Sequence, residues 1–286
     1  MELDGYLARL GLDRPSKPTL DWLSGAQRSH MERVPYTSID IHVGRPGSID
    51  PVACVDRIAR TGRTGYCLQL NGAFAALLAS LGYEVTRHRG HVWSTPGETL
   101  FEPYANHLAL SVAMDGGDWF VDVGLGDAPY EPIPLVVGAY DQGPFRYGVE
   151  RLDLGWRFRH DPAGAFTGMD FEDAVAAPGV FDLGHVQMST SPTSNYVTNV
   201  MVARRDATGV DKLVNQSLMR IEGPRTVNWT LSSPTEYFAA LADVFGMTLD
   251  DLGHDDRARL WRDAQAGQAA YEASLTASRE DGDVAG

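Results

Sequence analysis

The hydrophobic period of this chain changes near residue 83, and that change sets the class of fold. Upstream, apolar residues recur three and four apart. Leu3, Tyr6, Leu7 and Leu10 share one helical face, and Leu20, Leu23, Ala26 and His30 share another after a proline-rich break from Pro15 to Pro18. Asp50-Pro51 predicts a further helix start, with Asp50 as the capping acceptor and Pro51 at the first helical position, where its missing N–H costs nothing. The apolar run from Leu70 to Leu81 predicts a helix that stops at Gly82. From Tyr83 to about Phe158 the period is two, with strand-like runs at 84–88, 107–112 and 119–123, and Asp115-Gly116-Gly117-Asp118 predicts a hairpin turn. Helices first and antiparallel strands after them make an α+β protein. Further on, 196–204 and 212–221 read as strands, Ser233-Pro234-Thr235-Glu236 opens a helix with a capping-box pattern, and the stretch after Ala264 is expected to fray.

Composition narrows the function. The chain has 286 residues, about two domains' worth by length, and 43% of them are apolar, enough for a sizeable core. Its net charge of −14, from 24 basic and 38 acidic residues, opposes a nucleic-acid surface. No run reaches the roughly 18 apolar residues of a membrane span, and the first twelve residues lack the pattern of a signal peptide, so a cytoplasmic protein is expected. Only Cys54 and Cys67 are present, too few for a disulfide framework. Cys54 reads as a small buried helix residue.

Cys67 reads differently. It stands at the start of the predicted 70–81 helix, where the positive end of the helix dipole favours thiolate over thiol. His107 and Asp122 follow in the strand region. The predicted hairpin brings them to the same end of paired strands, where cross-strand neighbours touch. Cysteine as nucleophile, histidine as base and aspartate as the group that fixes the imidazole form a catalytic triad. The backbone N–H of Cys67 is the expected oxyanion donor. His30 lies on an apolar helix face and reads as a core histidine. His88 and His91, three apart on a strand, point to opposite faces and make a poor chelate even with His107 nearby, so no metal is expected.

In order along the chain, Ala26-Gln27-Arg28-Ser29-His30, Val34-Pro35-Tyr36, Arg63-Thr64-Gly65-Tyr66-Cys67, Asn71-Gly72, Asn106-His107 and Val121-Asp122-Val123-Gly124-Leu125-Gly126 resemble the arylamine N-acetyltransferase family over about residues 3 to 265. The resemblance implies a fold with a cysteine-protease-like core: an N-terminal helical bundle over 1–85 carrying the nucleophile, a central β-barrel over 86–190 carrying His107 and Asp122, and an α/β lid over 191–286. It also implies a ping-pong reaction in which Cys67 takes an acetyl group from acetyl-CoA and passes it to an arylamine, arylhydroxylamine or hydrazine nitrogen. Gly126, Thr193, Ser194 and Tyr196 are the residues it implies along the cofactor channel, and Tyr36, Leu125 and Tyr130 those at the acceptor.

Three departures stand out. Tyr36-Thr37-Ser38 replaces the family's Phe-Glu-Asn, which removes the carboxylate that partners the arginine matching Arg63, so Arg63 is expected to turn to Asp40 or to backbone carbonyls. Thr64 replaces a glycine. Leu125 replaces a phenylalanine, which enlarges the acceptor pocket. Some actinomycete relatives resemble amide synthases that release an aryl-amine-primed polyketide from an acyl carrier protein with the same triad, and that is the alternative reaction. A catalytically silent binding protein is the alternative of another class.

Overall fold

The computed structural model describes residues 1–94, 105–127 and 129–283, with side chains through residue 277. Helices come first: α1 (Leu3–Leu10), α2 (Leu20–Arg33), then a two-residue strand β1 (Tyr36–Thr37), α3 (Ile39–His42), α4 (Pro51–Thr61) and α5 (Cys67–Ser80). Asp50 caps α4, its Oδ1 accepting from Ala53 N–H at 2.9 Å, and Gly62 closes it in the left-handed region at φ 69°. The helix α5 is buried on nearly every side, as its unbroken apolar sequence requires, and packs between α4 and the first strands of the barrel.

Eight strands follow: β2 (Glu84–Trp93), β3 (His107–Met114), β4 (Gly117–Val121), β5 (Ile133–Pro134), β6 (Gly138–Gln142), β7 (Phe145–Leu152), β8 (Gly155–Arg159) and β9 (Gly168–Val175). They lie in the order β5-β4-β3-β2-β9-β8-β7-β6 and form a nearly closed barrel. The hairpin expected at 115–118 joins β3 to β4, with Met114 paired to Gly117 and positive φ at Gly116 and Gly117.

Two helices, α6 (Asp182–Thr190) and α7 (Asn195–Thr198), lead to β10 (Met201–Arg205), β11 (Val210–Val214), β12 (Ser217–Glu222) and β13 (Arg225–Thr230), followed by α8 (Pro234–Asp243) and α9 (His254–Asp283). The second sheet has the order β1-β10-β11-β12-β13. Its edge strand therefore comes from residues 36–37, far upstream, and ties the helical part to the last third of the chain.

Three details differ from the sequence reading. Residues 195–198 form a helical turn rather than the start of a strand, because Ser194 Oγ accepts from Tyr196 N–H at 3.2 Å and offers the backbone a helix cap. Glu236 reaches back to Ser232 rather than to the N-cap Ser233, with Oε2 accepting from Ser232 N–H at 2.8 Å. Beyond Ala264, α9 continues instead of fraying: Gln268 accepts from Ser217 Oγ at 3.3 Å and donates to Glu272 at 2.8 Å. Strong helix formers with one docked side chain hold that turn.

Candidate active site

Cys67 is the first residue of α5, so its thiol sits at the positive end of the buried central helix. His107 is the first residue of β3, and Asp122 follows the last residue of β4. The β3–β4 hairpin thus delivers the histidine and the aspartate together, and α5 packs on β3 to bring up the cysteine.

His107 Nε2 lies 2.7 Å from Asp122 Oδ2, and both side chains are buried. With Nε2 engaged, Nδ1 is the nitrogen left for the sulfur. Burial alone would lower the His107 pKa, but the Asp122 carboxylate and Cys67 outweigh it and raise the imidazole to about 10. The ring is therefore held as imidazolium at neutral pH, the form that pairs with a thiolate. The Cys67 Sγ lies 3.4 Å from the Asn106 carbonyl oxygen.

Asn71 locks these parts. One turn after Cys67 on α5, its Nδ2 donates to Leu108 O at 2.7 Å and its Oδ1 accepts from Val123 N–H at 2.9 Å. A single buried amide thus ties the helix that carries Cys67 to β3 and to the segment just after β4 that carries Asp122. Its signal in the sequence was a polar residue inside an otherwise apolar helix.

Cys67 and His107 open into a cleft of about 310 Å³ lined also by Tyr36, Leu125, Tyr196 and Lys212, with Asp122 buried behind the histidine. Gly124 passes so close that a Cβ there would stand 2.7 Å from Cys67 Cα.

Comparison with known proteins decides the family. A family model described as N-acetyltransferase matches residues 19–253. The arylamine N-acetyltransferase of Mycolicibacterium smegmatis is 30% identical over 273 residues, covering 91% of this chain and 97% of that protein. The chain belongs to the arylamine N-acetyltransferase family. Among solved structures, that of the Mycobacterium marinum arylamine N-acetyltransferase superposes with a TM-score of 0.82 at 28% identity, covering 92% of this chain and 98% of that one, and the same enzyme in complex with CoA gives equal values. The Nocardia farcinica arylamine N-acetyltransferase gives a TM-score of 0.80 at 28% identity over 91% and 93% of the two chains.

Against this family's pattern, the structure distributes the sequence-derived site residues unevenly. Tyr36, Leu125 and Tyr196 line the cleft, and the Tyr36 hydroxyl donates to that of Tyr196 at 2.8 Å. Gly126 backs it at φ 76°, where a Cβ would press on Ala203 and Tyr36 at 3.2 and 3.3 Å. Tyr130 points elsewhere: its hydroxyl bonds Glu32, and its amide donates to Gln142 at 2.8 Å. Ser194 is spent on structure, donating to Met188 O at 2.7 Å while it caps α7, and Thr193 is exposed beside Ser191 Oγ at 3.0 Å.

Arg63, four residues before Cys67, finds two carboxylates in place of the missing family glutamate. Its Nε and Nη2 lie 3.3 Å from Asp40 Oδ1, and Nη1 and Nη2 reach Asp251 at 2.9 and 2.7 Å. Asp40 was expected. Asp251, nearly two hundred residues downstream, was not.

His30 is fully buried between Tyr6 and Phe74, and burial lowers its pKa to about 3. His88 bonds Ser111 Oγ at 2.7 Å inside the barrel. Cys54 and Cys67 are both free thiols. Among the described residues no group of three His, Cys, Asp or Glu is placed to hold a metal, and no helix is long and apolar enough to cross a membrane.

Proposed function

We propose that the protein transfers an acetyl group from acetyl-CoA to an arylamine or hydrazine nitrogen through a thioester on Cys67. The observation that carries this reading is the buried His107–Asp122 pair set beside a cysteine at a helix start, inside a cleft.

In the first half-reaction the Cys67 thiolate attacks the acetyl carbonyl carbon. The oxyanion that develops meets the backbone N–H of Cys67 and the positive end of α5. The C–S bond to CoA breaks, and the His107 imidazolium gives its proton to the departing thiolate. In the second, the amine nitrogen attacks the acetyl-enzyme carbonyl, neutral His107 takes a proton from that nitrogen, and Cys67 leaves as thiolate beside the restored imidazolium. Asp122 keeps the ring turned with Nδ1 toward the sulfur throughout. Exchange of one thioester for another preserves the activation of the acyl group, which suits a cysteine rather than a serine nucleophile.

The relatives compared are named arylamine N-acetyltransferases, which favours acetyl transfer over release of a carrier-bound polyketide. Steady-state CoA release with acetyl-CoA and an arylamine tests the reading. Parallel double-reciprocal lines as the amine is varied support it, and release that ignores the amine would defeat it.

A further inference from the structure

The cleft has a charged end that the acetyl-transfer chemistry does not use. Tyr36, Ala203 and Lys212 are register partners across β1, β10 and β11, so their side chains emerge in one row from the same face of the sheet. All three line the cleft. Tyr196 is tied to the Tyr36 end of the row by the hydroxyl–hydroxyl bond. Lys212 is at the opposite end, two strand spacings or roughly 10 Å across the sheet from Tyr36.

Lys212 is the one lysine or arginine among the described residues that line this cleft, and no described residue hydrogen-bonds or ion-pairs with its side chain. The carboxylate that senses its charge, Asp127, is committed to the wall of the cleft. Asp127 Oδ1 lies 3.2 Å from His160 Nε2, and Oδ2 accepts from Ala165 N–H at 2.7 Å. The wall segment is braced further by His160, which packs edge-on against Phe166 at 4.5 Å between ring centroids. An ammonium with no direct side-chain partner therefore lines the same cleft as Leu125 and Phe166, which supply apolar surface for a flat ring.

We infer that Lys212 selects acceptors that carry an anionic group, a carboxylate above all, on the side of the ring away from the amine. This rests on the acetyl-transfer reading above. The ring packs on that apolar surface, its amine turned to the acyl group on Cys67, and its far substituent runs out along the row from Tyr36 toward Lys212. A charge-assisted hydrogen bond there replaces water on both ions.

The test compares kcat/KM for 4-aminobenzoate and for 4-methylaniline in wild type, Lys212→Met and Lys212→Arg at saturating acetyl-CoA. The ratio of the two is expected to fall roughly tenfold in Lys212→Met, the worth of one charge-assisted bond, and to recover in Lys212→Arg. A ratio that does not move overturns the inference. So does a ratio that stays fixed while the acetyl-CoA concentration for half-maximal loading rises, which would place Lys212 on the donor phosphates. Binding of 4-aminobenzoate to the resting protein, wild type against Lys212→Met, is read in parallel by ligand-observed NMR. Weaker binding in Lys212→Met supports the anionic subsite even if no acetyl transfer occurs, and equal binding contradicts it.

Discussion

Asp122 divides its carboxylate between two donors: Oδ2 lies 2.7 Å from His107 Nε2, and Oδ1 accepts from the Gly124 amide at 2.7 Å. The second bond fixes the carboxylate that in turn fixes the imidazole. Asp122→Asn can keep the bond to Gly124 through its remaining oxygen but loses the charge that holds His107 protonated. Acetyl loading of Cys67 is expected to fall by about three to four orders of magnitude, as when a triad aspartate is lost elsewhere, a loss far larger than the accompanying shift of the unfolding transition. Stopped-flow CoA release with a parallel urea melt checks both halves, and a melt shifted as far as the rate would argue for a purely structural role.

The same pair sets a pH dependence. The His107 pKa is raised from its ordinary 6.5 to about 10, so its contribution to folding is fully present below about pH 6.5 and is lost as pH rises toward 10. Urea midpoints measured across that window are expected to decline on the alkaline side in wild type and to decline less in Asp122→Asn.

His30 works in the opposite sense. Its pKa is depressed to about 3, so its neutral form contributes stability above about pH 6.5 that is lost as pH falls toward 3. Both ring nitrogens are buried without a hydrogen-bond partner among the described residues. His30→Leu, close in volume, removes two unsatisfied polar atoms and the titration together. Stability at pH 7 is expected to hold or rise by about 1 kcal/mol, and the acid-side midpoint to move to lower pH. Acid unfolding followed by circular dichroism reads it, and an unchanged midpoint counts against the assignment.

How much of this was legible in the chain follows from the range of each interaction. The helix start at Asp50-Pro51, the hairpin at 115–118 and the Cys67 helix are local, and residues a few positions apart write them. The pairing of β1 with β10 and the reach of Asp251 to Arg63 join segments about 165 and 190 residues apart, and no local pattern encodes them. Tyr130 shows the limit of a resemblance: it was implied at the acceptor, yet its hydroxyl bonds Glu32 on α2 and it is not among the residues lining the cleft. Lys212 and Asp127 carried no signal, since a lysine on a strand is ordinary until the strand's neighbours are known.

The two carboxylates on Arg63 are unequal. Asp40 is buried and also pairs with Arg57, whereas the Asp251 side chain is 46% exposed. Asp40→Ala leaves a buried guanidinium short of charge and is expected to cost about 3 kcal/mol, while Asp251→Ala, screened by water, costs about 1 kcal/mol or less. Chemical denaturation of the two variants gives the ordering, and equal losses would contradict it.

Gly124→Ala probes the approach of the turn to Cys67. A methyl there meets Cys67 Cα at 2.7 Å and Cys67 O at 3.0 Å, both backbone atoms that cannot swing aside. The expected cost is about 2 kcal/mol together with a loss of loading rate, since α5 must shift to admit the methyl. Wild-type loading in this variant would show that the turn is looser than its geometry indicates.

The central claim is that Cys67 carries the acyl group, and intact-protein mass spectrometry tests it most directly. Wild type and Cys67→Ser are exposed briefly to acetyl-CoA, then to an aminobenzoate. The account predicts one acetyl increment on wild type, mapped to the Cys67 peptide and discharged by the amine, and none on Cys67→Ser. An unmodified wild-type mass, or an equal increment on the variant, would contradict it.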